Sequence, residues 1–139
     1  MTIRKADRTD LEEIYRLSNV LEETVLDREG FRQVYEETVD SDTIFVLEEE
    51  KIIGFIHIRI ASELCRAGKI LEIRELVIDE GYRGKGYGRL LLERAEAYGK
   101  ENGVVLIELL SALRRERAHR FYENNGYFKT GYRFFKKQL

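Results

Sequence analysis

The sequence predicts an α/β (α+β) fold: one domain with a mixed sheet covered by helices on both faces. Three observations carry this. The chain has 139 residues, the size of one domain with a real core. Helical and strand-like runs follow one another in the order βααβββαβαβ(β). The hairpin Thr43–Leu47 with Ile52–Ile60 lies among helical runs, which suggests a mixed sheet covered by helices on both faces.

Thr2–Ala6 reads as a first strand. Thr9-Asp10-Leu11-Glu12 fits a capping box, and Leu11, Ile14, Tyr15, Leu17 and Leu21 then follow a helical stripe. Phe31 to Val39 reads as a second, shorter helix. Thr43–Leu47 and Ile52–Ile60 form a hairpin around Glu48-Glu49-Glu50-Lys51, and Ile70–Ile78 is a further strand. Gly88–Asn102 is a helix with Leu90, Leu91, Leu92, Ala95 and Tyr98 on its apolar side, stopped by Gly103. Val104–Leu110 barely alternates, which predicts a strand buried on both faces. Arg114–Asn125 is a helix with Gly126 past its end, and Tyr127–Lys137 reads largely as strand, interrupted near Gly131.

Composition narrows the function classes. The chain is 43% hydrophobic and 36% charged, with no apolar run of membrane-spanning length. MTIRKADRTD lacks a secretory apolar segment, and Cys65 is the lone cysteine. These features point to the cytoplasm and to no membrane. Two histidines and one cysteine in no ligand spacing argue against a metal site. Nucleic-acid binding calls for a basic domain, whereas the net charge is −2. That charge is uneven. Residues 1–69 hold 10 Lys/Arg and 16 Asp/Glu, residues 70–139 hold 14 and 10. Two solvated surfaces account for this, as does an anionic ligand on the second half and a cationic one on the first.

The most informative stretch is Glu75–Tyr98, with four glycines between Gly81 and Gly88. A P-loop needs a hydroxyl residue after its lysine, and here Gly86 follows Lys85. A dinucleotide fingerprint needs GxGxxG in an early βαβ unit, and here the spacing is Gly84-x-Gly86-x-Gly88, late in the chain. Arg83-x-x-Gly86-x-Gly88, between a strand and a helix start, makes physical sense. Glycines let backbone approach a ligand. The free N–H groups and dipole of the helix start hold a pyrophosphate, and Arg83, Lys85 and Arg89 add charge. The competing reading is a glycine-rich turn in a solvated basic loop.

With Arg83-Gly84-Lys85-Gly86-Tyr87-Gly88 after the strand Glu72–Ile78, the sequence resembles the GNAT acetyltransferase superfamily, whose (Arg/Gln)-x-x-Gly-x-(Gly/Ala) loop binds acetyl-CoA. A second signature is Ala118-His119-Arg120-Phe121-Tyr122 followed by Gly126-Tyr127. The resemblance is specific over Ile70–Leu139 and architectural before it. From Glu72 onward it is strongest to small-molecule amine acetyltransferases of the aminoalkylphosphonate and aminoglycoside types. It implies a single acetyltransferase domain over residues 1–139. The sheet would be mostly antiparallel, with a splay between the Ile70–Ile78 and Val104–Leu110 strands. The pantetheine arm of CoA would lie there, along Leu76, Val77 and Ile78. Many relatives carry Asn seven positions before the tyrosine. Here that position is Arg115, which suggests a charge contact with the cofactor.

The implied reaction is direct acetyl transfer from CoA sulfur to a primary amine. An amine with a pKa of about 10 is ammonium at neutral pH and needs a base. A strand N–H such as that of Val77 or Ile78 would polarise the carbonyl. The family match makes Tyr122 the proton donor to the thiolate; on spacing alone it is an aromatic of a buried helix face. In related enzymes a base sits eleven residues before the motif's first Arg/Gln, which here is Glu72. Strand alternation places Glu72, Arg74, Leu76 and Ile78 on one face and Leu71, Ile73, Glu75 and Val77 on the other. Glu75 is the second candidate base, or a structural partner of an arginine, and a water chain is a third route. His57 reads as a strand-face histidine before a catalytic one. Carboxylates within Glu22–Glu29 are candidate attractors of an ammonium. Alternatives to a small amine are a protein N-terminus or lysine, and a non-catalytic acyl-CoA sensor. The family also makes a homodimer plausible.

Overall fold

The computed structural model describes residues 1–137; Gln138 and Leu139 lie outside the described residues. Two compact units emerge, Met1–Glu108 and the chain from Leu109 onward. The first holds β1 (Thr2–Lys5), α1 (Leu11–Glu22), α2 (Arg28–Ser41), β2 (Thr43–Glu48), β3 (Ile52–Glu63), β4 (Gly68–Ile78) and α3 (Tyr87–Glu101), and β5 (Leu106–Leu109) follows at the junction. The strands form one sheet in the order β1-β2-β3-β4-β5, and each neighbouring pair from β1 to β4 is antiparallel. The Val105 N–H donates to the Lys69 carbonyl at 2.8 Å, tying the starts of β4 and β5. The two strands therefore run parallel, as a helical crossover requires.

The strand period of two sorts the sheet into faces. Ile44 and Val46 of β2, Phe55 of β3 and Val77 of β4 meet Ile14 and Leu17 of α1 and Tyr35 of α2. On the opposite face α3 buries Leu91, Leu92 and Ala95. Tyr98 meets Phe45 edge-on at 5.5 Å between ring centroids, and Gly99 sits against Leu71. Each fully buried aliphatic or aromatic side chain contributes about 1.5–3 kcal/mol, so the two layers hold the sheet from both sides. Leu90 departs from the expected apolar side: it is exposed, because its position on α3 turns it away from the sheet.

Helix starts also differ from expectation. The capping box lies two residues earlier than Thr9–Glu12, between Asp7 and Asp10, on a 3₁₀ turn that leads into α1. The Asp7 carboxylate accepts from the Thr9 N–H at 2.8 Å, and Asp10 accepts from the Asp7 N–H at 2.9 Å. Asp10 wins this role because Arg4 grips both of its oxygens, each at 2.9 Å, while Glu12 turns out to Arg28. The second helix is longer than the first, because Asp27 caps it at the Gly30 N–H. Between the helices the Tyr15 hydroxyl donates to the Leu26 carbonyl at 2.6 Å.

β5 is shorter than expected, and its residues are half-buried or exposed rather than buried on both faces. It is an edge strand of the described sheet, which leaves one side uncovered. The second unit contains α4 (Glu116–Asn124), closed by Gly126 at φ +91°. Tyr127–Lys137 carries no strand, against expectation. A strand exists only through ladder bonds to a neighbour, and this stretch has none among the described residues. Its Phe128, Tyr132, Phe134 and Phe135 are all exposed. Among the described residues no helix is long and apolar enough to cross a membrane.

Candidate active site

β4 ends in a tethered turn. Asp79 N–H donates to the Ile53 carbonyl of β3 at 2.8 Å. The Asp79 carboxylate accepts from the Glu80 N–H and pairs with Arg16 of α1 at 2.9 Å and with Lys51 at 3.4 Å. Burial works against the charged form of Asp79, but Arg16 and Lys51 outweigh it and hold the carboxyl below its ordinary range. Arg83 then reaches back, its Nε donating to the Ile78 carbonyl at 3.0 Å.

Gly84 and Gly86 follow in the left-handed region, at φ +76° and +87°, which glycine adopts without cost. Nothing lies within 4 Å of where a side chain on either would begin. Gly86 is the N-cap of α3 and supplies no side-chain cap. The amides of Tyr87, Gly88 and Arg89 therefore open the helix at the positive end of its dipole. Lys85 Nζ stands 5.7 Å from the Tyr82 ring centroid, and Arg89 pairs with Glu93.

The ladder decides which backbone groups of β4 are open. Asp79 and Ile53 are directly bonded, so two residues back Val77 is also turned to β3. Leu76 and Ile78 point their N–H groups to the other edge. The four residues of β5 start level with Lys69, which leaves Leu76–Ile78 beyond its end. Val77 thus contributes a buried side chain rather than a free amide.

The two carboxylates of β4 lie on one face, not on opposite faces as simple alternation predicts. His57 pairs with Glu75, but Ile58 pairs with Ile73 and Arg59 with Glu72, so Arg74 is an extra residue on β4. Such a bulge inverts the parity of the strand beyond it. Glu72, Glu75 and Val77 share the face of His57, Arg59, α1 and α2, while Leu71, Ile73, Leu76 and Ile78 face α3. Glu72 pairs with Arg74. Glu75 meets His57 Nδ1, so its hydrogen-bond partner is this imidazole.

His57 is buried, and its Nε2 lies 2.7 Å from Asp42 Oδ2. Arg59 Nε donates to both Asp42 oxygens at 3.2 Å. Burial disfavours the imidazolium, but Glu75 and Asp42 outweigh it and raise the His57 pKa above its ordinary value. Asp42 is likewise opposed by burial, and Arg59 and His57 pull its pKa down. No motif marked Asp42 in the sequence; it becomes visible only when α2 ends beside β3.

In the second unit, Tyr122 packs edge-on between Phe121 and Tyr127, with centroids 5.2 and 5.7 Å away. Burial pushes its phenol up to about 12, with Arg115 pulling slightly the other way. It remains protonated through the neutral range. Among the described residues no three His, Cys, Asp or Glu side chains gather as a metal site.

Comparison with known proteins agrees with this geometry. The model of the acetyltransferase (GNAT) family matches residues 9–127. The aminoalkylphosphonate N-acetyltransferase of Salmonella typhimurium is 31% identical over 137 residues, covering 96% of this chain and 89% of that protein. A putative acetyltransferase from Agrobacterium tumefaciens superposes with a TM-score of 0.87 at 26% identity, covering 99% of this chain and 100% of that one. An aminoglycoside N-acetyltransferase solved with CoA shares the fold, with a TM-score of 0.87 at 17% identity over 99% of this chain and 93% of that one. With a loop of left-handed glycines opening α3 and a family match across most of its length, this chain belongs to the GNAT acetyltransferase family.

Proposed function

We propose that this enzyme transfers an acetyl group from acetyl-CoA directly to the primary amine of a small molecule. The observation that carries the reading is the Arg83–Gly88 turn, in which two left-handed glycines bare the start of α3 beside the end of β4. In this reading Arg83, Gly84, Lys85, Gly86, Tyr87, Gly88 and Arg89 hold the pyrophosphate. The outward backbone of Leu76 and Ile78 pairs with the pantetheine arm, and Arg115 meets a phosphate. The Ile78 N–H is the polarising donor, since that of Val77 is turned to β3. Tyr122 gives its phenolic proton to the departing thiolate, and the phenolate regains one from the attacking nitrogen. A β4 carboxylate, Glu72 or Glu75, takes the proton of the ammonium, and no metal takes part. Residues 1–139 act as one acetyltransferase domain in the cytoplasm, with neither nucleic acid nor membrane as partner.

The small-amine preference is supported by the 31% identity to an aminoalkylphosphonate N-acetyltransferase over nearly its full length. A protein N-terminus or lysine is the alternative acceptor, and an acyl-CoA sensor the alternative class. The test is release of free CoA thiol from acetyl-CoA in the presence of aminophosphonates, aminoglycosides, polyamines and peptides, with calorimetric titration of acetyl-CoA alongside. Amine-dependent thiol release establishes the enzyme and ranks its acceptors. Binding of acetyl-CoA without turnover on any of them overturns the small-amine reading in favour of the sensor or of a protein acceptor.

A homodimer completes the proposal. Phe128, Tyr132, Phe134 and Phe135, between 75% and 93% exposed, give a second copy an apolar segment to cover. Sedimentation velocity should show twice the chain mass; a monomer at tens of micromolar would contradict it.

A further inference from the structure

We propose that Asp42, His57 and Glu75 form a proton relay that receives the proton lost by the acceptor ammonium, with Glu75 meeting the amine and His57 storing the charge. This rests on the acetyl-transfer reading and deepens it, by assigning the base and what stands behind it.

The geometry is a chain with one closed and one open end. The side chain of Asp42 is 5% exposed and that of His57 11%, whereas that of Glu75 is 40% exposed. Both imidazole nitrogens face carboxylate oxygens: Nε2 stands 2.7 Å from Asp42, and Nδ1 touches Glu75 Oε2. Ionised carboxylates only accept. Two hydrogen bonds along this chain therefore need two protons. They reside either on both ring nitrogens or on Nε2 and the Glu75 carboxyl. These two arrangements differ by one short proton shift, and neither loses a hydrogen bond.

With one proton, on Nε2, the chain sets the Nδ1 lone pair against the Glu75 carboxylate, two acceptors in contact. That state draws a proton back. It is the state that serves a base. The ammonium N–H bond breaks as a Glu75 oxygen takes the proton, and the carboxyl passes a proton to Nδ1. The imidazolium then lies between two carboxylates, and the freed amine lone pair attacks the thioester carbonyl. When the tetrahedral adduct collapses, the C–S bond breaks. The second nitrogen proton goes to the thiolate, by way of Tyr122 in the reading above. The stored proton leaves through the exposed end, Glu75. Overall, ammonium and thioester become amide, thiol and one released proton.

Nothing else on this face is arranged the same way. Glu72 is paired with Arg74 and has no imidazole behind it. The charged groups acting on the His57 ring are Glu75 from β4 and Asp42 from the end of α2. Arg59 stands one step away on Asp42, and β2 presents the apolar Ile44 opposite the ring. Arg59 keeps Asp42 ionised, which fixes the Nε2 proton and leaves Nδ1 as the exchanging site. His57 acts through Glu75 and is a positioning residue; Glu75 is the catalytic one.

The test compares wild type with His57→Gln, Glu75→Gln and Asp42→Asn. The readouts are kcat at saturating amine from pH 5 to 9 and acetyl-CoA affinity by calorimetry. In the wild type kcat should rise with pH on a limb set by the chain's second proton, above the ordinary histidine value of about 6.5. Glu75→Gln and His57→Gln should each lower kcat by roughly 100-fold, leave acetyl-CoA affinity within about twofold, and abolish that limb. Asp42→Asn should move the limb to lower pH. Glu75→Gln changes a half-exposed side chain, so it tests the relay even if His57→Gln does not fold. Wild-type kcat and an unchanged limb in Glu75→Gln would overturn the relay while leaving acetyl transfer standing. A wild-type protein that turns over no amine would overturn both.

Discussion

His57 of β3 and Glu75 of β4 are paired across the ladder, and one residue further on the partners slip, so that Ile58 meets Ile73 and Arg74 is left over. The slip brings Glu72 and Glu75 to the face that α1 and α2 cover. It turns a strand that reads as alternating into one whose carboxylates lie on one side.

That pairing makes stability pH-dependent on the alkaline side. The folded-state pKa of His57 is raised above its unfolded value of about 6.5. The stabilisation is complete below the unfolded value and fades as pH climbs through the folded one. Thermal melts from pH 6 to 9 should show a falling midpoint, and Glu75→Gln should flatten the fall. An identical slope in Glu75→Gln would remove His57 as its source.

On the acid side Asp10 contributes, alongside Asp42 and Asp79. Its hydrogen bonds to Arg4 lower its pKa, against burial and with help from the Asp7 amide. The unfolded carboxyl titrates near 3.9. Stability from this group is therefore present above that value and is lost as pH falls through the depressed folded one. Asp10→Asn should lose about 1–3 kcal/mol at pH 7 in urea titrations, the range for hydrogen bonds to charged groups and orphaned partners, and less at pH 3.

Tyr122→Phe keeps the ring packing against Phe121 and Tyr127 but removes the proton. Turnover should drop by about 100-fold or more, while acetyl-CoA affinity and melting midpoint stay close to wild type. Stopped-flow or steady-state thiol release measures this directly. Unchanged kcat would assign the tyrosine to packing alone.

Gly86→Val places a β-branched residue at φ +87°. The left-handed conformation costs about 1–2 kcal/mol for a side chain, and the new methyl groups stand where a pyrophosphate would approach the α3 amides. Acetyl-CoA affinity should fall at least about tenfold, with circular dichroism unchanged. Wild-type affinity would sever the turn from cofactor binding.

Gly54→Ala probes the sheet behind that turn. A Cβ there would lie 2.6 Å from Ile78 Cδ1 and 2.8 Å from the Val77 carbonyl. The backbone atom cannot swing aside as a side chain can. A loss of about 1–3 kcal/mol is expected, read from denaturant midpoints, together with weaker acetyl-CoA binding because the end of β4 moves.

Much of the fold was legible because its signals are local. Leu11, Ile14, Tyr15 and Leu17 announce α1, and Gly103 and Gly126 announce helix ends, through spacing and backbone conformation alone. The loop Arg83–Gly88 was legible for the same reason. The Arg74 bulge was not, since one unpaired residue leaves no mark on composition yet inverts the parity of everything before it. The capping shift to Asp7–Asp10 depends on Arg4, which reaches Asp10 and Glu48 only after β1 pairs with β2. His57 read as a strand-face residue because its partners lie 15 and 18 positions away, on different elements. Tyr127–Lys137 has strand composition, but composition does not supply a neighbouring strand.

The Asp79 carboxylate joins Arg16 of α1 to the turn that leads into Gly84–Gly88. If the Glu22–Glu29 segment that follows from α1 attracts the acceptor ammonium and the glycine loop holds the cofactor, both sides hang from this one anchor point. Acetyl-CoA seating first on the loop would then set that anchor for the amine. Initial-velocity kinetics should accordingly show a preferred order of addition, and Arg16→Ala should make it random.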